Sequence, residues 1–261
     1  MKKVTIIGAG WLGLNLAKFL QQDSYRVFCS YRNKALELKL KKEKIDSFFL
    51  NLNEDILPAE LFDTDTLCIF IPPSQNANYE KIFLRIIEHK DFSKIKQLIF
   101  SSSTSVYIEN HTKKYENSPL KTDNQIVEVE NILKKLHNAA ILRFAGLMGE
   151  KRYLAKYYNA TVPNAQTTVN HIHLEDAVGI LERIISKNIL GIYNICAPLH
   201  PTKKDIITQQ CKILNKKLPY FEKGNSKKAI VITDKIDKKI SYMYRYSNPI
   251  DFPLIENQAP F

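Results

Sequence analysis

Gly8, Gly10 and Gly13 stand in the order G-x-G-x-x-G, between the apolar run Val4-Thr5-Ile6-Ile7 and the apolar stretch Leu14 to Leu20. Glycine at the first position permits a tight turn, and at the second it lets the backbone come close to a pyrophosphate. At the third it lets a helix pack on a strand. The free N–H groups of the first helical turn then face the anion. Three of the chain's eight glycines fall within its first 13 residues, in the strand–turn–helix context that this motif requires. The chemistry implied is the binding of a dinucleotide's diphosphate by Gly8, Gly10, Trp11, Leu12 and Gly13. Trp11 either covers the pyrophosphate or packs on the next loop.

The next apolar run, Val27-Phe28-Cys29-Ser30-Tyr31-Arg32, carries no carboxylate at its end, and the first one after it is Glu37. An acidic residue at this place takes the ribose hydroxyl of NAD. Ser30 stands there instead, with Arg32 just beyond. A guanidinium binds a phosphate through two parallel hydrogen bonds, so the pair suits a 2′-phosphate and points to NADP(H), with NAD as the alternative.

Two further groupings could carry chemistry. His171-x-His173 with Glu175 and Asp176 resembles a partial metal site, but a metal needs three or four convergent ligands, and the spacing does not show them. The expectation is that His173 and Asp176 form hydrogen bonds at a helix start. Lys151, Arg152, Tyr153, Lys156, Tyr157 and Tyr158 form a basic, tyrosine-rich stretch. It is either a contact for an anionic substrate or an amphipathic surface helix.

These residues need elements to hold them. Strand-like runs (Val4–Ile7, Arg26–Tyr31, Asp46–Leu50, Thr66–Ile71, Ile95–Phe100, Ala139–Phe144, Gly191–Cys196) alternate with helix-like runs. The helices fall at Trp11–Gln21, Ala35–Lys42, Tyr79–His89, Asp123–Leu136 and Leu174–Ser186, with a last one capped by Thr202 and running to Leu214. Near-continuous apolar strands separated by helices predict a doubly wound α/β fold with a parallel sheet, ligands lying at the carboxyl ends of the strands. A Rossmann domain over 1–145, with returning elements near 170–196, and a smaller substrate lobe over 146–261 are expected.

The 261 residues are 44% hydrophobic and 25% charged, ordinary for a globular protein. No apolar run approaches the ~18 residues of a membrane span. The first strand starts by Lys3 or Val4, which leaves no room for a signal peptide and suggests the cytoplasm. Cys29, Cys68, Cys196 and Cys211 are far apart and read as reduced, buried thiols. The net charge of +11 is spread along the chain without interleaved aromatics, so nucleic acid is not expected as a partner. No membrane partner is expected either; the chain reads as a monomer or homodimer that takes a small molecule.

Ser101-Ser102-Ser103-Thr104-Ser105-Val106-Tyr107 resembles the S-S-x-x-V-Y segment of the extended short-chain dehydrogenases/reductases, the NAD-dependent epimerase/dehydratase family. Ile141-Leu142-Arg143-Phe144-Ala145-Gly146-Leu147-Met148-Gly149 is similar to that family's LR-x-x-x-x-YG strand. Val169 to Ala177 resembles its IHVDD helix start, and Gly191-Ile192-Tyr193-Asn194 its late G-x-YN strand. The likeness runs over residues 1 to 220. The Pro72-Pro73-Ser74 segment and compact tail look most like the atypical YeeZ-type branch.

The resemblance implies an acid/base tyrosine in a Tyr-x-x-x-Lys pair on one helix face, and a hydroxyl that polarises the substrate carbonyl. Ser103 matches the hydroxyl. Counted back from Val127-Glu128-Val129-Glu130, the pair falls at Thr122 and Ile126, neither of which fits. Tyr115, upstream, has Pro119 at its i+4 position. Tyr107 either faces the nicotinamide or packs, and Arg143 is expected to brace its strand end. The resemblance further implies that Asn51 and Leu52 lie near the adenine, Pro72 and Pro73 line the ribose side, and Ser102 contacts the cofactor. Two functions follow: an NADP(H)-dependent oxidoreductase or epimerase-like enzyme on a small carbonyl or sugar-like substrate, or a cofactor-binding sensor that has lost catalysis.

Overall fold

A computed structural model describes residues 1–54, 56–76, 78–110, 112–158, 160–224 and 229–254. The first half runs β1 (Lys2–Ile7), α1 (Trp11–Gln21), β2 (Tyr25–Tyr31), α2 (Lys34–Lys42), β3 (Asp46–Phe49), β4 (Thr66–Ile69), α3 (Tyr79–Ile87), β5 (Gln97–Ser103), α4 (Gln125–Leu133) and β6 (Ala139–Phe144). The second half runs β7 (Gly146–Met148), α5 (Leu154–Tyr157), β8 (Thr161–Val162), β9 (His171–His173), α6 (Leu174–Ser186), β10 (Gly191–Ile195), α7 (Lys203–Ile213), β11 (Tyr220–Phe221) and α8 (Asp234–Ile240).

The main sheet has the order β10-β6-β5-β4-β1-β2-β3. The ladders joining β3, β2, β1, β4 and β5 are parallel. Val4 to Ile7 and Thr66 to Ile69 are buried without alternation, because helices cover both faces of a parallel sheet. Successive strands leave β1 first toward β2 and β3 and then, through β4, toward β5 and β6. The order therefore reverses between β1 and β4, and ligands of doubly wound sheets bind in the crevice at this switch point. The doubly wound Rossmann fold expected from the sequence is the fold observed.

The helices follow from their apolar spacing. In α1, Leu12, Leu16 and Leu20 recur every fourth residue and are buried together with Gly13 and Ala17. In α3, Tyr79, Ile82, Phe83 and Ile86 form the buried stripe, and Phe83 packs edge-on against Phe100 of β5 with centroids 5.1 Å apart. Burying such a side chain stabilises the fold by roughly 1.5–3 kcal/mol. Thr202 and Asp205 close a reciprocal capping box at the start of α7. Several boundaries differ from expectation: β4 ends at Ile69 and not Ile71, α4 spans Gln125–Leu133 and not Asp123–Leu136, and β5 does not stop at Phe100 but continues through the serine run to Ser103.

The chain forms two compact units. The first comprises Met1–Val106, Lys121–Arg143 and Ile180–Ile192, and holds the glycine turn and the large core around Leu67, Phe83 and Phe100. The second comprises Tyr107–Leu120, Phe144–Gly179 and the chain from Tyr193 onward. It has its own core around Leu154, Val162, Ile206 and Ile207, and two short parallel ladders, β7 with β9 and β8 with β11. Among the described residues, no helix is long and apolar enough to cross a membrane.

Candidate functional site

The carboxyl edge of the first unit gathers the residues singled out above. Register places Ile7 beside Ile69, Ile69 beside Phe100, and Tyr31 beside Phe49. The segments starting at Gly8, Arg32, Leu50 and Phe70 therefore leave the sheet along one line, and β5 runs three residues past it to Ser103.

The glycine turn is shaped by contacts only glycine allows. Gly8 has φ +90°, and a Cβ there would lie 2.7 Å from the Phe70 carbonyl oxygen. A Cβ on Gly13 would lie 2.4 Å from the Gly8 carbonyl oxygen, so the helix sits directly on the turn. Gly10 differs: a Cβ built there meets nothing within 4 Å. It is the N-cap of α1, with no side chain capping the helix and no carboxylate in the first turn. The first intrahelical bond runs from the Leu14 N–H to the Gly10 carbonyl at 2.9 Å, which leaves the Leu12 and Gly13 amides without an intrahelical acceptor. An open, uncapped helix start over a cradle that excludes side chains fits a diphosphate group.

At the end of β2, Arg32 is exposed and forms no hydrogen bond, ion pair or ring contact with the other described residues. Asn33 caps α2 by accepting from the Leu36 N–H at 2.9 Å. Glu37, the nearest following carboxylate, is held by Lys34 at 2.8 Å and Lys41 at 2.6 Å. Hydrogen bonds from both lysines keep its carboxyl below the usual glutamate range. Arg32 is thus left with its charge available. Ser30 is buried, so of the two residues proposed to share a phosphate only Arg32 is exposed.

The remaining expected residues have mixed positions. Asn51 is half-buried, donates to Glu54 at 2.9 Å and accepts from the Asn53 N–H at 3.1 Å. Leu52 packs into the first unit's core, and its carbonyl accepts from Arg85 at 2.7 Å. Pro72 is exposed and Pro73 opens a short 3₁₀ turn. That loop is tied by the Asn76 amide to the Pro72 carbonyl and by the Tyr79 hydroxyl to the Ile71 carbonyl, both at 2.8 Å.

The serine run divides by face. The Ser102 side chain is buried and donates to Glu130 at 2.6 Å, so its hydroxyl is engaged inside the core. Ser103 is half-buried; its oxygen accepts the Ser105 N–H at 3.1 Å, and its own proton remains available to donate. The helix that would carry the Tyr/Lys pair starts only at Gln125, capped by Asn124. Thr122 therefore precedes the helix, and no helical face joins it to Ile126. Tyr107 belongs to the second unit, where it is buried and its hydroxyl donates to Asn194 at 2.5 Å. It packs.

In the second unit, Asp176 is buried and accepts from the backbone N–H groups of Arg245 and Tyr246 and from the Tyr242 hydroxyl. His173 accepts the Glu175 N–H at 3.3 Å and lies edge-on to Tyr246 and Phe252. The helix-start reading of this cluster describes its hydrogen bonding. Burial, with a smaller contribution from Arg245, lowers the His173 pKa to about 4. Burial pushes Cys29 up to about 12 and raises the other three thiols as well. Among the described residues, no group of three or more His, Cys, Asp or Glu side chains is placed to hold a metal ion.

Sequence reasoning missed Glu130. It is the partner of Ser102 and Arg143, and the available signal was a glutamate on the otherwise apolar face of Val127, Val129 and Leu133.

No protein-family model matches the chain. It is 30% identical to the Escherichia coli K12 protein YeeZ over 273 aligned positions, covering 97% of this chain and all of YeeZ. Among solved structures, a functionally unknown conserved protein from Silicibacter pomeroyi superposes with TM-score 0.77 at 18% identity, covering 96% of each chain. The UDP-glucuronic acid 4-epimerase of Bacillus cereus, in complex with NAD, gives 0.74 at 18% identity over 95% of each chain. The dTDP-glucose 4,6-dehydratase of Bacillus anthracis, also with NAD, gives 0.76 at 14% identity over 96% of this chain and 94% of that one.

Proposed function

The chain belongs to the YeeZ family and has the fold of the NAD-dependent epimerase/dehydratases, and from that premise we propose that it binds NADP(H) and acts as an oxidoreductase or epimerase-like enzyme on a small carbonyl or sugar-like substrate. One observation carries this reading: an uncapped helix start above a side-chain-free cradle, with an unneutralised guanidinium at the end of the neighbouring strand. The amides at Gly10 to Gly13 would hold the diphosphate and Arg32 the 2′-phosphate. The loop at Pro72 and Pro73 would border the ribose. The nicotinamide, when bound, supplies hydride chemistry; Ser103 would donate a hydrogen bond to the substrate oxygen. Without positioned acid/base help such a site works about 10²–10⁴-fold more slowly.

A second reading, a nucleotide-binding sensor without turnover, is favoured by a specific observation. The helix that would carry the acid/base pair begins beyond the tyrosine position, and the Tyr107 hydroxyl is engaged by Asn194. Titration with NADPH and NADH, followed by NADPH oxidation against aldehydes, ketones and nucleotide sugars, separates the readings. NADPH binding at least tenfold tighter than NADH, reversed by Arg32→Gln, supports the cofactor assignment; equal binding overturns it. Turnover abolished by Ser103→Ala supports the enzyme. Tight binding with no turnover leaves the sensor.

A further inference from the structure

Glu130 lies on α4 and is fully buried, although nothing about helix packing requires a carboxylate there. One of its oxygens accepts from the Ser102 hydroxyl at 2.6 Å and from Arg143 Nε at 2.9 Å. The other accepts from Arg143 Nη2 at 2.6 Å and lies 3.5 Å from Lys134 Nζ. Arg143, on β6, is only 1% exposed. A two-point guanidinium–carboxylate pair fixes direction as well as distance. Apolar residues of similar volume stabilise such a place as well or better, so burial alone does not account for the ion pair.

Its location suggests what it does. Side chains on a strand alternate, so Ser102 turned toward α4 forces Ser101 and Ser103 to the opposite face. A slip of one residue would exchange them. The Ser102 bond falls at the last turn of the pleat before β5 gives way to the Thr104–Val106 turn.

We propose that Glu130, clamped by Arg143, is a positioning residue that anchors Ser102 and so presents the Ser103 hydroxyl at the carboxyl edge of the sheet. This rests on the reading of Ser103 as the group that meets the substrate. It makes Ser102 a strut and no ligand contact, and it assigns Glu130 a function through the strand and not through the nucleotide.

Ser102→Ala removes the strut and leaves the ion pair intact. Expected is at least a tenfold faster amide exchange at Ser103 and Ser105, with exchange at Leu98 to Phe100 unchanged, measured without nucleotide. Ser102→Thr, which keeps the hydroxyl, restores slow exchange. With NADPH, Ser102→Ala keeps affinity within threefold of wild type but reduces the emission enhancement of the bound nicotinamide at least twofold. A purely structural role would leave that emission unchanged. Wild-type exchange at Ser103 and Ser105 in Ser102→Ala overturns the proposal. If the wild-type protein takes up no NADPH, the functional reading falls, while the exchange result still decides the strut.

Discussion

The two ends of one sheet differ in how their polar groups are used. At the amino edge, Lys3 pairs with Asp63 at 2.8 Å, Lys96 with Asp65 at 2.7 Å and Lys94 with Asp91 at 2.5 Å. The Lys3 N–H donates to Asp65 at 2.9 Å, and the Thr64 hydroxyl to the Lys3 carbonyl at 3.1 Å. An open groove of about 500 Å³ lies there, lined by Met1, Phe62, Lys3, Asp63, Asp65 and Lys94 among others. It is concave, but its charges neutralise one another. At the carboxyl edge, α1 starts uncapped, Arg32 has no counter-charge, and Ser103 keeps a proton to give. A concave shape alone does not make the first end a binding site. Surplus donors select the second, and a binding site needs groups that the fold has left over.

The largest expected effect falls on the clamp beneath the carboxyl edge. Arg143→Met leaves Glu130 buried without its guanidinium partner, with only the Ser102 hydroxyl and the more distant Lys134 beside it, a change that costs about 3–5 kcal/mol. Chemical denaturation checks it, and the double variant Arg143→Met/Glu130→Leu should recover most of the loss. Failure to recover would show the pair to be a stabilising feature in its own right.

Next comes a buried group of the second unit, His173, whose titration tests stability apart from nucleotide uptake. His173 has a pKa near 4 when folded, against about 6.5 when unfolded. Above pH 6.5 both states are neutral and the group is silent. As pH falls from 6.5 toward 4 the unfolded chain binds the proton first, so stability declines by roughly 3 kcal/mol over that window. Denaturation midpoints against pH test this, and His173→Gln should flatten the curve without altering nucleotide affinity at pH 7.

How much of this could be read from the residues alone depends on range. The glycine turn, the helices with apolar residues every third or fourth position, and the parallel strands are local patterns, and they fall where expected. Gly10 and the Leu12/Leu16/Leu20 stripe predict α1 at its observed bounds. α8 was not foreseen, because its lysine-rich sequence shows only Ile236 and Ile240 as buried contacts. Ser102 illustrates the limit at the site. Its neighbours in sequence are serines, so only the tertiary partner, Glu130 on a later helix, shows that its hydroxyl is engaged. Ser30 and Leu52 differ for the same reason: whether a strand-end side chain turns inward depends on what packs against it.

Glycine variants break the comparison at the carboxyl edge itself. Gly8→Ala meets both a positive φ and a 2.7 Å approach to Phe70, so it should cost about 1–3 kcal/mol and abolish nucleotide binding. Gly10→Ala has open space and φ −75°, so thermal stability should hold while the methyl group intrudes on the anion. An approximately tenfold weaker NADPH titration with unchanged Tm is expected, about 1.4 kcal/mol of binding. Equal loss of stability and affinity in Gly10→Ala would mean that the helix start is a packing feature.

The smallest effect is expected at the amino edge, and it is the one that tests the argument from leftover charge. Asp63 is largely exposed, and its pair with Lys3 lies on the surface. Exposed pairs of this kind contribute under about 1 kcal/mol and are screened by salt. Asp63→Asn should therefore shift the denaturation midpoint only slightly and leave NADPH affinity unchanged at low and high ionic strength. It also frees Lys3 beside a ready-made groove. If that single substitution created or strengthened anion uptake at the amino edge, charge pairing would be what keeps the groove empty of anionic ligands. If NADPH affinity instead fell, the groove would be part of the nucleotide site and the assignment to the carboxyl edge would be wrong.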